Sequence, residues 1–539
     1  MLNHGFRLVS ATSNCKIVRR SLLSCLDRVT EGIPYSVWSA CAIPPKSLRS
    51  VDSVQPHENH QLRSRAGKDE LSVVSLFSGA GGFDHGFRMD GNRLLLANEL
   101  REPPAKSLEQ HFRGPDVESW ETPASPSPKD LPLVVQGDVV DLDLSGLKGL
   151  EPDVLIGGPP CQEFSVMNGQ KRRGIEVEGG RLYRYFTAAI AAMSPRVFVF
   201  ENVHGLVSAN RREAYRRIEK HLSDPQGFLE ERADRSPSDL GIDRSGPGYT
   251  ILHDGIVDAP DLGIPQTRRR LIMIGVRNDI VDEMGVFRRE SFRERLRHKL
   301  NGGDHLFWAY PLTALEVFEG EVITNLQDEY RQIMEKYRSL PESLSDHPPA
   351  AEWVRKNIED RSLDVVRNYA RVNGISPNLF GEAELEEAME EHANVLESLG
   401  YRGSPVREVE PGDDSSVVPK VGQSVVERMW RTPPGENYKF TENTDWEVVG
   451  SGLSLIYRRP DPLRPAPTVV ANGGGGTFGY HYDRDRNELT NRERARLQTF
   501  RDSFLFEGTS VQMRRQIGEA VPPLLARRVA EEVHSILPE

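Results

Sequence analysis

The chain has 539 residues, 37% of them hydrophobic and 27% charged, and carries a net charge of −12. That length suggests three or four units of roughly 150 residues each, and the composition is that of a globular protein, which excludes a disordered chain. No apolar run approaches the length of a bilayer span, and the acidic balance argues against a protein that coats nucleic acid indiscriminately while leaving room for a local basic cleft.

The first 70 residues are rich in Ser and Arg and show no clear periodicity. They read as a flexible extension or an upstream start, with an organelle transit peptide as the alternative. Three of the four cysteines, Cys15, Cys25 and Cys41, lie here and cannot staple the body of the protein, so a reducing compartment is expected. A regular pattern begins at residue 71. LSVVSLF, LLLANE, LVVQGD, DVLIGG and RVFVFEN are short apolar runs ending in polar residues or Gly, as buried strands do. Helical stretches at Pro104 to Phe112 and Leu182 to Met193 alternate with them. This alternation predicts an α/β fold with a parallel sheet covered on both faces, and function at the carboxyl ends of its strands. LIMIGV, after QTRRR (266–270), is a further strand. Regularity fades after Arg277. Residues 281–455 combine an Arg-rich helix (RRESFRERLRHK, 288–299), an acidic stretch read as a solvated helix face (GEAELEEAMEEH, 381–392) and a linker rich in Pro, Ser and Asp (404–422). Order returns at RPAPTVVANGGGGTFGYH, and the helix PPLLARRVAEEVHSIL closes the chain.

The strand ends carry the chemistry. FSGAGGF (77–83) joins a strand to a helix, and its glycines let the backbone approach a nucleotide-like ligand; a tight turn is the alternative. It fails as the dinucleotide fingerprint because Asp84 occupies the third glycine position, which disfavours a nicotinamide oxidoreductase. Glu99 is placed to accept from ribose hydroxyls and Asp138 to take an adenine amino group, or each is a helix cap or solvated loop residue. Cys161, the one thiol after Cys41, stands behind two prolines in GGPPCQEFS (157–165), where a rigid backbone aims a nucleophile. The competing reading is a small buried residue. Glu201 follows VFVF at the sheet edge, where burial raises a carboxyl pKa and permits proton donation near neutrality, unless backbone amides satisfy it. Alternation along a strand puts Arg268 and Arg270 on one face, a pair suited to phosphate or a carbonyl-bearing base, or simply a charged edge.

In this order, FSGAGGF, GDV, GGPPCQEFS, ENV, QTRRR, RPAPT with LTNRERARLQTF, and QIGEAVPP resemble the DNA (cytosine-5) methyltransferases of the prokaryotic restriction-modification type. The resemblance runs from residue 71 to the end, apart from about 281–455. It implies a Rossmann-like S-adenosylmethionine-dependent methyltransferase sheet with a second, smaller target-recognition domain. The implied division is an extension (1–70), a catalytic and cofactor-binding domain (71–280), a target-recognition domain (281–455) and a return segment (456–539) whose last helix packs beside the cofactor strand. Cys161 is then the nucleophile at C6 of a cytosine flipped from the duplex. Glu201 protonates or hydrogen-bonds N3, Arg270 meets the flipped base, and Arg268 lies near the backbone phosphate. S-adenosylmethionine is the implied cofactor, surrounded by Phe77, Gly79, Gly81, Glu99, Asp138, Val139, Pro160, Leu182 and Glu519. Gln162, Ser165, Gln170 and Gln266 fall to the DNA substrate, and no metal is implied. Ser165 to Gly180 is similar to the loop that closes over DNA.

Two positions depart from the family pattern: Glu519 stands where GNAVP has Asn, and Gly179, Gly180 and Arg181 precede Leu182. WRTPPGENYKF (430–440) is a candidate part of the base-reading surface, with ordinary packing as the alternative. The expected partners are double-stranded DNA, bound more weakly as salt rises, and a functionally paired restriction endonuclease. A cytoplasmic, nucleoid-associated monomer with no membrane association is expected. An RNA cytosine-5 methyltransferase and a catalytically silent DNA-binding relative are the competing readings; the large insert argues against the first, and Cys161, Glu201 and the Arg268–Arg270 pair against the second.

Overall fold

Alternation along the strands decides which face of the sheet each apolar residue covers. The computed structural model describes residues 70–113, 133–142, 144, 147, 150–160, 182–208, 212–231, 246–345, 347–359, 364–376, 381–448, 456–471 and 479–537, all within one unit, Ser64–Glu539. The five expected runs form β1 (Ser72–Leu76), β2 (Arg93–Glu99), β3 (Leu133–Gln136), β4 (Val154–Gly157) and β5 (Val197–Val203). They are parallel neighbours in the order β3-β2-β1-β4-β5. β6 (Tyr249–Asp258) and β8 (Arg269–Arg277) extend the sheet as β5-β8-β6, with β8 antiparallel to both neighbours. β7 (Gln266–Thr267) leaves this sheet and pairs with β9 (Ala466–Pro467), which brings a late segment of the chain to the edge of the catalytic strands.

Val73, Val154, Ile156, Val197 and Val199 enter one core with Phe83 and Phe87 of α1 (Gly82–Met89). Val74, Leu76, Leu155, Phe198 and Phe200 enter the other with Phe186 and Ile190 of α3 (Tyr183–Met193). Strands buried on both faces read as unbroken apolar runs, which is why they were legible. α2 (Glu102–Arg113) covers the first face and takes Pro103 and Pro104 in its first turn, where no N–H is needed. α4 (Glu213–Ser223) and α5 (Pro225–Glu231) follow β5, and α6 (Asn278–Leu300), the expected Arg-rich helix, is kinked where Gly285 takes a φ of 71°.

Beyond α6 come α7 (Ala314–Glu319), α8 (Gln327–Glu335), α9 (Leu340–Ser343), α10 (Pro348–Val354), α11 (Val365–Val372), α12 (Glu382–Leu399) and α13 (Gln423–Trp430). The stretch read as a linker, 404–422, is free of strand and α-helix, as its Pro, Ser and Asp content favours, and is anchored at a few points: Val406 and Ser415 are buried, and Asp413 accepts from Phe506 N at 2.7 Å and pairs with buried Arg492. α14 (Asn491–Leu497), α15 (Ser510–Glu519) and α16 (Pro523–Ile536) complete the chain. The first two open with capping boxes, Thr490 with Glu493 and Thr509 with Gln512. α16 lies so close to α1 that a Cβ on Gly86 would fall 2.3 Å from Ala526 Cβ.

Candidate active site

Strand order reverses at β1, so a crevice opens beyond the carboxyl ends of β1 and β4. On the β1 side Phe77 is held in the left-handed region at a φ of 58°, a strain that side chains other than glycine rarely accept and that marks functional loops. Gly79 (φ 59°) has open space where its Cβ would stand, so the loop presents bare backbone there. Gly81 serves otherwise than expected: a Cβ would lie 2.2 Å from Leu108 Cδ1, so its lack of a side chain lets α2 pack beneath the loop. Ser78 N donates to Asn98 O at 2.9 Å, and Asn98 Nδ2 donates to the carbonyls of Val135 and Gly137, which locks the ends of β1, β2 and β3 together.

Glu99 is buried with both oxygens engaged. Oε2 accepts from Gly79 N at 3.0 Å; Oε1 accepts from Arg101 N at 3.0 Å and Arg101 Nε at 3.2 Å. Asp138 is exposed and caps a short 3-10 turn through Val140 N at 3.0 Å. Of its neighbours, Val139 is 4% exposed and its side chain belongs to the core; Val140 and Leu100, 38% and 59% exposed, are the apolar side chains at these strand ends. Sequence reasoning passed over both. Asp84 lies buried under the loop, and burial pushes its carboxyl up to about 7.

On the β4 side the chain runs Gly157, Gly158, Pro159, Pro160, with Pro159 buried and Pro160 exposed. Cys161, Gln162, Ser165 and Gln170 lie outside the described residues, as does the segment Ser165 to Gly180. Asn202 Nδ2 donates to Pro159 O at 3.1 Å and so ties the proline loop to β5. Glu201 is 9% exposed beside that loop, with Oε1 2.8 Å from Arg270 Nε. Burial raises the Glu201 pKa, against the opposing charges of Arg270 and Arg268. A Cβ on Gly158 would lie 2.7 Å from Glu201 Oε2, so this glycine leaves room for the carboxyl. Because the crowded atom is the far end of a side chain, Gly158→Ala is expected to fold normally and to turn over roughly tenfold or more slowly, a displaced carboxyl being costly to catalysis. A melting curve and a kcat measurement on the same sample check both halves. Leu182 caps α3 and packs on the second core.

Two expected contacts are corrected. Arg268 is 1% exposed, and its guanidinium donates to Val469 O (3.2 Å), Gly518 O (3.0 Å) and Ala520 O (2.8 Å). It sits between β7 and β8 as a tether for the carboxyl-terminal segment, out of reach of a phosphate. Gln266 is fully buried. Its Nε2 donates to Leu497 O and Gln498 Oε1, each at 2.7 Å, and its Oε1 accepts from Val469 N, so the side chain is engaged inside the protein, away from substrate. Exposed Arg269 and His204 stand beside Arg270 instead. In WRTPPGENYKF, Tyr438 and Phe440 are buried, while Trp430 is partly exposed with Arg484 4.7 Å from its ring. Packing accounts for most of that segment. Glu519 lies at the rim of the β1 side, where Arg101 Nη2 meets its Oε2 at 2.5 Å.

Among the described residues no helix is long and apolar enough to cross a membrane. The model of the family described as C-5 cytosine-specific DNA methylase matches residues 71–228 and 243–535. DNA (cytosine-5-)-methyltransferase M.ApeKI of Aeropyrum pernix is 46% identical over 478 residues, covering 86% of this chain and 98% of that protein. Type II methyltransferase M.NgoFVII of Neisseria gonorrhoeae is 26% identical over 466 residues, 86% of each chain. Type II methyltransferase M.DdeI of Desulfomicrobium norvegicum is 26% identical over 473 residues, 86% of this chain and 88% of its own. The family match runs through both sides of the crevice and on to the last helix, and the chain belongs to the C-5 cytosine-specific DNA methylases: it is a DNA (cytosine-5-)-methyltransferase.

Proposed function

We propose that the enzyme methylates cytosine within one short sequence of double-stranded DNA, acting on a base turned out of the helix and held covalently by Cys161. The observation that carries this reading is the Glu201–Arg270 pair, set against Gly158 three residues before Cys161. The Cys161 thiolate adds to C6, forming a C–S bond, while Glu201 supplies a proton or hydrogen bond at N3 and so accommodates the electrons displaced from the ring. Arg270 holds the Glu201 carboxyl in place and faces the base. C5 then becomes nucleophilic. Once C5 is methylated, loss of the C5 proton to a base expels the thiolate and restores the ring. A stacked cytosine offers neither ring face, so the base leaves the helix at a cost of a few kcal/mol.

S-adenosylmethionine, when bound, supplies the methyl group. The residues present fit it. Gly79 leaves bare backbone and open space at the loop, Glu99 presents a fixed carboxylate to ribose hydroxyls, and Asp138 keeps one oxygen free for an adenine amino group. Leu100 and Val140 offer apolar surface for the adenine faces, and Phe77, Pro160 and Leu182 line the remainder. The type II relatives support pairing with a restriction endonuclease, and we assign the enzyme, as a monomer in the cytoplasm, to protecting DNA from that nuclease.

Incubation with S-adenosylmethionine and an unmethylated plasmid, followed by bisulfite sequencing, tests the reading. Protected cytosines are expected in one recurring short sequence with wild type and none with Cys161→Ser. Protection that persists in Cys161→Ser would overturn the assigned nucleophile. No protection by a folded wild type would overturn the DNA substrate.

A further inference from the structure

The loop-facing carboxylate of Glu99 is held from an unexpected quarter. Besides Gly79 N on Oε2, its Oε1 takes both the backbone N–H and the Nε–H of Arg101. The same guanidinium continues through Nη2 to Glu519 Oε2 at 2.5 Å, and Glu519 Oε1 takes Arg515 Nε at 2.9 Å. A chain of alternating charge, Glu99, Arg101, Glu519, Arg515, thus joins the end of β2 to the end of α15.

Glu519 is the last residue of α15, where the negative end of the helix dipole disfavours a carboxylate. It is also where this chain departs from the family pattern. A locally unfavourable residue bound to Arg101 points to a use for the charge. Stability is not that use, because Arg101 and Glu519 are about a third exposed and such pairs contribute little to folding. Orientation is a different matter. The planar fork of Arg101 reaches two carboxylates at once, and holding one fixes the angle at which the guanidinium meets the other.

We propose that Arg101 and Glu519 form a clasp that fixes the Glu99 carboxylate for the ribose hydroxyls of the cofactor and ties the carboxyl-terminal segment to that edge of the crevice. Arg101 and Glu519 are positioning residues, acting through Glu99, and the inference rests on the cofactor reading given above. Without Glu519, the Arg101 guanidinium is free to turn onto Glu99 and draw its oxygens away from the ribose.

Titration calorimetry with S-adenosylhomocysteine and its 2′-deoxy and 3′-deoxy ribose analogues separates the cases. Arg101→Met is expected to weaken S-adenosylhomocysteine binding roughly tenfold, the order of one charged hydrogen bond. Glu519→Gln should weaken it about threefold, since the amide still accepts a hydrogen bond. The double variant should bind no worse than Arg101→Met, because both changes break one chain. The penalty that wild type shows for a missing ribose hydroxyl should shrink in Arg101→Met, which a merely structural tether would leave intact. Melting temperatures should move by only a few degrees, and Glu519→Asn provides a second variant if Arg101→Met does not fold. Wild-type protein that binds none of the three ligands would overturn the cofactor reading itself. Wild type that binds, with variants that match it or lose affinity equally for all three ligands, would overturn the clasp alone.

Discussion

Glu201→Gln is expected to slow methyl transfer by roughly a hundred- to a thousandfold, the range of a lost general acid, with cofactor and DNA affinity little changed. Gln matches the shape of Glu, keeps an oxygen toward Arg270 Nε, and still fits the space left by Gly158. What it cannot do is release a proton to N3 of the base. Burial favours the protonated carboxyl and Arg270 and Arg268 oppose it, so the wild-type pKa lies above the ordinary glutamate value. Proton donation needs the acid form, so the rate should fall as pH rises through that raised pKa, and this limb should be missing from the residual activity of Glu201→Gln. Arg270→Met removes the larger opposing charge; any activity left should therefore lose its alkaline limb at a higher pH than wild type. Single-turnover rates across pH on one DNA duplex decide the matter. A Glu201→Gln enzyme within about threefold of wild type would sink the proton-donor role.

The strands of the catalytic sheet were legible because burial on both faces leaves apolar runs such as VFVF with nothing to interrupt them. β6 was not. It is the outer strand, carries His253 and Asp254 in its middle, and gives no continuous run. The same logic divides the site. Glu201 and Cys161 each follow an apolar run in the sequence, so position in the chain pointed to them, although Glu201 stands within β5 rather than beyond its end. Arg268 and Gln266 have the same polar character as residues that touch substrate, but their partners are backbone groups about 200 to 250 residues away, beside β9 and at the carboxyl-terminal ends of α14 and α15. No local pattern announces which distant backbone groups need a donor. Gly158 escaped notice for the opposite reason: its contribution is an absence of atoms beside Glu201.

From residue 281 onward the chain resisted reading because charge there does not mean surface. Glu384, Glu386, Glu387 and Glu390 of α12 are exposed, as the acidic run suggested, yet His392 on the same helix is fully buried. Arg459, also fully buried, donates to the carbonyls of Thr432, His481, Asp483 and Met429. Arg492, Arg494 and Arg496 of α14 are buried against Asp413, Glu488 and Asp502. Such a network is invisible to composition, since each member looks solvent-seeking when taken alone. Once folded, every missing partner is costly.

His392 and Glu316 are where that cost should be largest. Nδ1 of His392 lies 2.8 Å from Glu316 Oε1 and Nε2 lies 2.9 Å from Tyr310 O, both side chains of the ion pair being wholly buried. Two acceptors facing one imidazole require both nitrogens to carry protons, so the ring is an imidazolium. Phe307 stacks on it at 5.4 Å between centroids, a favourable place for a cation. Burial works against the charge, but Glu316 and the Tyr310 carbonyl outweigh it and hold the pKa above the ordinary histidine value. Glu316 in turn accepts from Thr313 N, Thr313 Oγ1 and Ile323 N, so α7 and its cap hang on the same carboxylate. Removing one member of a buried pair strands the other. His392→Leu or Glu316→Gln should cost about 3 kcal/mol or more of stability, whereas the double replacement His392→Leu with Glu316→Met should recover part of it. The pH dependence follows from the sign of the shift. A histidine whose folded pKa is raised contributes fully below about pH 6.5, its unfolded value, and loses that contribution as pH climbs through the folded value. The stability gap between wild type and His392→Leu, read from urea unfolding, should therefore be wider at pH 6 than at pH 9. A gap that does not change with pH would mean that His392 is neutral in the folded protein, and the two short contacts would then need another explanation.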